Sequence, residues 1–322
     1  MEKIAILTSG GDAPGMNATI RSVVRSGIYE NVEVYGIRNG FEGLIDGDLF
    51  KMNESSVADI IQRGGTILGT SRSERFKTEE GRHKALQVLK VYGINKVIVA
   101  GGDGSFKGGL ALSKYGVDVV CIPLSIDNDL GYTDYSIGFF TAVDTVVDAI
   151  SKIRDTTESH ARANIVEVMG RECGDIALYA GLAGGAENIM VPERDFDINL
   201  IAKKALIGKN RGKRHHIIIL AEGAAKEKSA YDIASEFQDL TNIDTRVTIL
   251  GYIQRGGSPN IVDRILASTM GNFAVKTILS KNGAYCVGSR SGEIILDEIE
   301  EAINKKRDLN DNLKNVLDII SI

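Results

Sequence analysis

The chain has 322 residues, 43% of them hydrophobic and 25% charged, and a formal net charge of −5. That length suits one large α/β unit or two ordinary domains. The composition is that expected of a soluble globular protein, and no apolar run approaches the ~20 residues that span a bilayer. The negative balance argues against general nucleic-acid binding. Three widely spaced cysteines (Cys121, Cys173 and Cys286) with no Cys-x-x-Cys pair argue against a disulfide framework or a zinc site and predict buried thiols in a reducing cytosol.

The opening residues enter a strand-like run at 3–8 directly, with no signal-peptide pattern. Behind that run stands Ser9-Gly10-Gly11-Asp12-Ala13-Pro14-Gly15. Paired glycines let backbone N–H groups approach phosphate oxygens, and the helix predicted at 16–29 aims its N-terminus at the same anion. A strand is predicted at 32–37 and a helix at 79–92. The strand at 96–100 ends in Gly101-Gly102-Asp103-Gly104-Ser105. There the Asp103 carboxylate is expected within a nest of glycine amides, as a Mg²⁺ contact beside polyphosphate. A dinucleotide fingerprint fails, because the third glycine would have to occupy the position of Lys107.

The strand at 117–123 runs into Leu124-Ser125-Ile126-Asp127-Asn128-Asp129. One of these carboxylates could take a proton from an attacking alcohol near MgATP while the other holds metal or sugar; a plain polar turn is the alternative. A helix at 141–154 precedes the strand at 163–168, which ends in Met169-Gly170-Arg171-Glu172-Cys173-Gly174. Arg171 is placed to fork onto phosphosugar oxygens. After a helix at 198–206 comes Lys209-Asn210-Arg211-Gly212-Lys213-Arg214-His215-His216, either a small-anion site or a solvated loop. The strand at 216–221 ends on Glu222-Gly223. The strand at 246–250 leads through Gly251-Tyr252-Ile253-Gln254-Arg255-Gly256-Gly257 to a helix at 261–279. The Arg171, Glu222 and Arg255 segments each read, taken singly, as ordinary surface too.

The strands are continuous apolar runs, as in parallel strands covered on both faces, and they alternate with helices. This predicts an α/β protein with doubly wound parallel sheets, in which ligands bind beyond the carboxyl ends of strands. No linker divides the chain, no period of 20–50 residues repeats, and there is neither a P-loop nor a protein-kinase signature. The four histidines lack metal-ligand spacing. The residues by themselves point to phosphate chemistry in a glycine-lined cleft and do not name the sugar.

In their order and spacing, these motifs resemble the 6-phosphofructokinases, specifically the short bacterial-type ATP-dependent enzymes. The resemblance implies two doubly wound α/β domains with mainly parallel sheets and the active site in the cleft between them. Residues 1–138 plus 254–304 would bind ATP, and 139–253 plus 305–322 would bind fructose 6-phosphate. It implies Asp127 as the catalytic base, assisted by Ser125 and Asp129, with Asp103 on Mg²⁺. Gly11, Arg72, Ser73, Gly102, Asp103, Gly104 and Ser105 would surround ATP, and Arg72 and Arg171 would stabilise the transferring phosphoryl group. Ser125, Ile126, Asp127, Met169, Gly170, Arg171, Glu222, Tyr252 and Arg255 match sugar-phosphate positions. Arg162 and Arg246 match positions that reach the sugar phosphate across a subunit boundary, implying a homotetramer in the cytoplasm with no nucleic-acid or membrane partner. An effector site for ADP or phosphoenolpyruvate is implied at Arg21, Arg25, Arg154, Gly185, Glu187, Arg211, Lys213, Arg214 and His215.

Gly104 and Leu124 favour ATP over pyrophosphate, since pyrophosphate-using relatives usually carry aspartate and lysine there. The chain departs from the usual pattern at several places. Leu124-Ser125 replaces glycine-threonine and Tyr252 replaces histidine. Phe41, Ser73 and Lys77 alter the ATP surroundings, Glu54 stands for an arginine and Ala58 for a serine. A pyrophosphate-dependent phosphofructokinase, a non-catalytic sugar-phosphate sensor and, more distantly, a dehydrogenase are the alternatives.

Overall fold

A computed structural model describes residues 2–226 and 228–321, so the outermost expected domain bounds, at Met1 and Ile322, lie outside the described residues. The apolar runs form β1 (Lys3–Thr8), β2 (Glu33–Ile37), β3 (Leu49–Met52), β4 (Lys96–Gly101), β5 (Asp118–Pro123), β6 (Ala163–Val168), β7 (Asn188–Met190), β8 (His216–Ala221), β9 (Thr245–Ile249), β10 (Ala284–Arg290) and β11 (Glu293–Glu298). The chain divides into two compact units. The first comprises Met1–Ile126, Leu130–Thr141 and Arg255–Arg307; the second comprises Asp127–Asp129, Ala142–Gln254 and Asp308–Ile322.

The first unit holds a sheet in the order β11-β10-β5-β4-β1-β2-β3. Its inner strands run parallel, and the two edge strands β3 and β11 are antiparallel. Side chains alternate across a strand, so Ala5, Leu7, Val97, Val99, Val119 and Cys121 share one core with Leu89, Phe106 and Leu112 of the helices Glu79–Tyr92 and Asp103–Ser113. Ile4, Ile6, Ile98, Val120 and Ile122 are equally buried. The helices Met16–Tyr29 and Ile261–Ser280 pack on one another, the first also on β1 and the second on β4 and β5. The second unit holds the four-stranded parallel sheet β7-β8-β6-β9.

Each sheet has one point where successive crossovers leave in opposite directions: between β1 and β4 in the first, between β6 and β8 in the second. Loops diverge there and leave a crevice at the strand ends. The register is level at both points, with Thr8 opposite Ala100 and Val168 opposite Ala221. The α/β class with mainly parallel sheets is as expected.

Several element limits differ from expectation. The helix expected at 141–154 is Phe139–Ser159. Its start is set by Asp263, whose carboxylate accepts from the Gly138 and Thr141 amides at 2.8 Å each and from the Thr141 hydroxyl. The helix expected at 198–206 continues to Asn210 and stops just before Gly212, whose φ is 89°. The strand expected at 246–250 lies one residue earlier, on a sheet edge where its side chains are partly exposed and the apolar pattern blurs. Among the described residues, no helix is long and apolar enough to cross a membrane.

Candidate active site

In the first unit, the loops after β1 and β4 are pinned to each other. The Ser9 amide donates to Ala100 O at 3.0 Å, and the Ser105 hydroxyl donates to Ser9 O at 3.0 Å. Ser105 is therefore a buried tie between the glycine loops, its hydroxyl engaged with protein. Gly101 permits this approach, since a Cβ there would lie 2.5 Å from Ser9 O and 2.3 Å from Ser105 Oγ. Thr70 donates to Gly10 O at 2.9 Å, which fixes the segment carrying the exposed Arg72. Ser73 caps the short helix Glu74–Lys77 and donates to Glu42 at 2.6 Å. Phe41 is buried and stacks on Phe76 with centroids 4.2 Å apart.

Asp103 opens the helix Asp103–Ser113. Lys107, one turn along, holds its Oδ2 at 2.6 Å. A helix N-terminus favours the negative charge. At Gly104 an added Cβ would meet nothing within 4 Å, and at Gly102 it would come no closer than 3.8 Å, to Ser125. Arg255, read from sequence with the sugar-phosphate set, lies over Gly11 and donates to Asp12 O at 3.2 Å.

The loop after β5 begins in the first unit. Leu124 N donates to Gly101 O at 3.0 Å, Ser125 N to Ile137 O at 3.2 Å, and the Ser136 hydroxyl to Ser125 O at 2.6 Å. Leu124 and Ile126 are buried, so the extra leucine side chain points into the unit's interior.

In the second unit, Asp127 is 1% exposed and pairs with Arg171, Nε to Oδ2 at 3.1 Å. Arg171 Nη1 also lies 3.8 Å from Asp129. One guanidinium thus faces two carboxylates. Arg171 is presented in a left-handed backbone (φ 52°) after Gly170 (φ 136°). Glu222 spends one oxygen on this turn, accepting from Gly170 N at 3.2 Å and Arg171 N at 2.8 Å. Burial, and then the Glu222 charge, raise the Glu167 carboxyl above its ordinary value.

Gln254, given no role from sequence, is wholly buried and accepts from Met169 N at 3.2 Å. Asn128 and Asp175 were likewise missed, and their hydrogen bond of 2.8 Å lies behind the acid pair. No sequence pattern marks Gln254. The Asn between two aspartates was a legible turn signal whose partner was not. Tyr252 is 83% exposed. Arg162 and Arg246 share Asp244, at 2.6 and 3.2 Å.

The same unit carries a cavity of about 290 Å³ lined by Arg154, Gly185, Glu187, Lys213 and His215 among others. Arg154 donates to the Gly184 and Gly185 carbonyls, and Glu187 holds Lys213 at 2.8 Å and lies 3.5 Å from His215. Arg214 lines a neighbouring basic cavity of about 200 Å³ with Arg162, Lys209, Lys213 and His216. Arg211 follows the helix Ile198–Asn210 and is exposed, while Arg21 and Arg25 belong to the first unit.

Comparison with known proteins identifies the family. The family model described as phosphofructokinase matches residues 3–278. Two relatives named ATP-dependent 6-phosphofructokinase, from Finegoldia magna and Clostridium tetani, are each 56% identical, over the full length of both chains. A phosphofructokinase structure from Saccharomyces cerevisiae superposes with a TM-score of 0.89 at 35% identity; it covers all of this chain, which spans 48% of that one. A pyrophosphate-dependent phosphofructokinase from Marinobacter aquaeolei shares the fold, with a TM-score of 0.85 at 21% identity over 97% of this chain and 86% of that one. A family-model match over residues 3–278 and identity above half along the whole length lead to one conclusion: the chain belongs to the phosphofructokinase family.

Proposed function

We propose that this chain transfers the terminal phosphoryl group of ATP to the 1-hydroxyl of fructose 6-phosphate, giving fructose 1,6-bisphosphate and ADP, the committed step of glycolysis. The observation that carries this reading is the buried Asp127 carboxylate held 3.1 Å from the Arg171 guanidinium. A general base beside a cation is what in-line attack by a sugar alcohol on a phosphoryl group requires.

Asp127 takes the proton from the 1-hydroxyl as that oxygen attacks. Arg171 sits within reach of the charge developing on the transferring group, and Arg72 serves the same charge from the donor side. Asp129 shares Arg171 and orients it, and Ser125 and Ile126 bring the acid loop to the sugar. Gly11, Gly102, Gly104 and Ser105 shape the phosphate-binding turns, and Ser73 fixes the segment beside Arg72. Met169, Gly170, Glu222, Tyr252 and Arg255 form the sugar-phosphate side, joined by Arg162 and Arg246.

Among the described residues, no three carboxylates, histidines or cysteines gather as a metal cage. A Mg²⁺ bound mainly through nucleotide phosphates and water needs only one or two protein carboxylates, and Asp103 at a helix N-terminus fits that need. When bound, Mg²⁺ neutralises charge on the phosphates. ATP is the donor because Gly104 leaves open space where an aspartate would repel an α-phosphate. The protein works as a cytoplasmic homotetramer. The cavity at Arg154, Gly185, Glu187, Lys213 and His215 takes ADP or phosphoenolpyruvate; Arg21, Arg25, Arg211 and Arg214 are carried as effector residues by the resemblance, and Glu54 and Ala58 blunt that control.

ADP release measured with ATP, and phosphate release measured with pyrophosphate, each with and without fructose 6-phosphate, test the reading. Sugar-dependent release with ATP alone is expected. Turnover with pyrophosphate would overturn the donor assignment, and binding without turnover would make the chain a sensor.

A further inference from the structure

The acid loop is held from behind by a carboxylate that takes no part in the chemistry above. Asn128 is wholly buried and adopts a left-handed backbone with φ 52°, which asparagine tolerates better than most side chains. Its side-chain amide donates to Asp175 Oδ2 at 2.8 Å, and its backbone carbonyl accepts from the Cys173 thiol at 3.8 Å. Asp175 is itself wholly buried, in the first turn of the helix Asp175–Gly184, where the helix N-terminus favours its charge. The residues on either side of Asn128 are the two that face Arg171, at 3.1 and 3.8 Å.

We propose that Asp175 is a positioning residue for the phosphoryl transfer: by holding Asn128 in its left-handed turn, it keeps the Asp127 and Asp129 carboxylates on the Arg171 guanidinium. This rests on the function proposed above. A charge-assisted hydrogen bond is stronger and more directional than a neutral one, and a base displaced by about 1 Å loses much of its rate. The glycine turns after β1 and β4 share no residue with this network. Loosening it therefore lowers kcat and leaves KM for ATP in place.

Asn128→Gly, Asp175→Ala and Asp175→Asn are compared with the wild-type enzyme for kcat, KM for ATP and thermal midpoint. Glycine accepts a positive φ without strain, so Asn128→Gly folds but loses the anchor. A fall in kcat of about tenfold or more, with KM for ATP within about twofold, is expected for both Asn128→Gly and Asp175→Ala. Asp175→Asn keeps an oxygen that can accept from Asn128, and it should recover kcat to within about threefold of wild type.

Wild-type kcat in Asn128→Gly, even with a lowered thermal midpoint, would reduce the network to a structural role and overturn the proposal. So would an Asp175→Asn variant no better than Asp175→Ala. If Asp175→Ala does not fold, Asn128→Gly decides alone. A wild-type enzyme that transfers no phosphoryl group would overturn the functional reading and this inference together, an outcome distinct from active wild type with unaffected variants.

Discussion

Arg171 faces Asp127 and Asp129 while its backbone is itself gripped: Glu222 binds the Gly170 and Arg171 amides, at 3.2 and 2.8 Å. The proposed donor side is simpler, and Gly104 tests it. An added side chain there meets no protein atom within 4 Å. Gly104→Asp should therefore fold with an unchanged thermal midpoint while KM for ATP rises by about tenfold or more, from a charge placed against phosphate. An unchanged KM would remove Gly104 from the donor site. The pairing of Arg171 with the aspartates and the position of the glycine loops were foreshadowed in sequence, where charged or glycine-rich residues stood directly after apolar strands. The part of Glu222 as a backbone clamp was not legible. Gln254 and Asp175 were not legible at all, because their partners lie far away in sequence and only the folded sheet brings them together.

The helix Phe139–Ser159 begins where Asp263, contributed by the first turn of Ile261–Ser280, receives two amides and a hydroxyl. The residues just before that start, Ser136 and Ile137, hold the backbone of Ser125. Asp263→Ala leaves buried donors without acceptors, so it should cost about 3 kcal/mol of stability, read as a shift in denaturant midpoint. A shift below about 0.5 kcal/mol would mean that the helix start is fixed by packing alone. Sequence revealed elements to the extent that their burial was continuous. β1, β6 and β8 have the expected bounds because every residue from Ile4 to Thr8, and all of β8, is buried, and β6 nearly so. The edge strands β3, β7 and β11 escaped notice. β3 has four residues and β7 three, and β11 reads Glu-Ile-Ile-Leu-Asp-Glu with no fully buried position.

For the molecule as a whole, burial sets one clear pH limit. His216 is 6% exposed, bonds through Nε2 to Asn188 at 3.1 Å and stacks near Phe237. Burial depresses its pKa from 6.5 to about 4, assisted by Lys213, His215 and Lys204 and opposed by Glu187. The folded state therefore prefers the neutral ring. Its stabilising contribution is whole above pH 6.5 and is lost as the pH falls towards about 4. A shift of that size corresponds to about 3 kcal/mol. Unfolding curves between pH 7 and 4 should fall more steeply for the wild type than for His216→Gln; parallel curves would show that the ring is not the titrating group. The proposed function leads to the decisive measurement. Phosphorus NMR of a mixture of ATP, Mg²⁺ and fructose 6-phosphate should show a new ester at the 1-position with the wild-type chain. With Asp127→Asn its rate of appearance should fall by about 10²- to 10⁴-fold. An equal rate in the variant, or no ester with the wild type, would contradict the account.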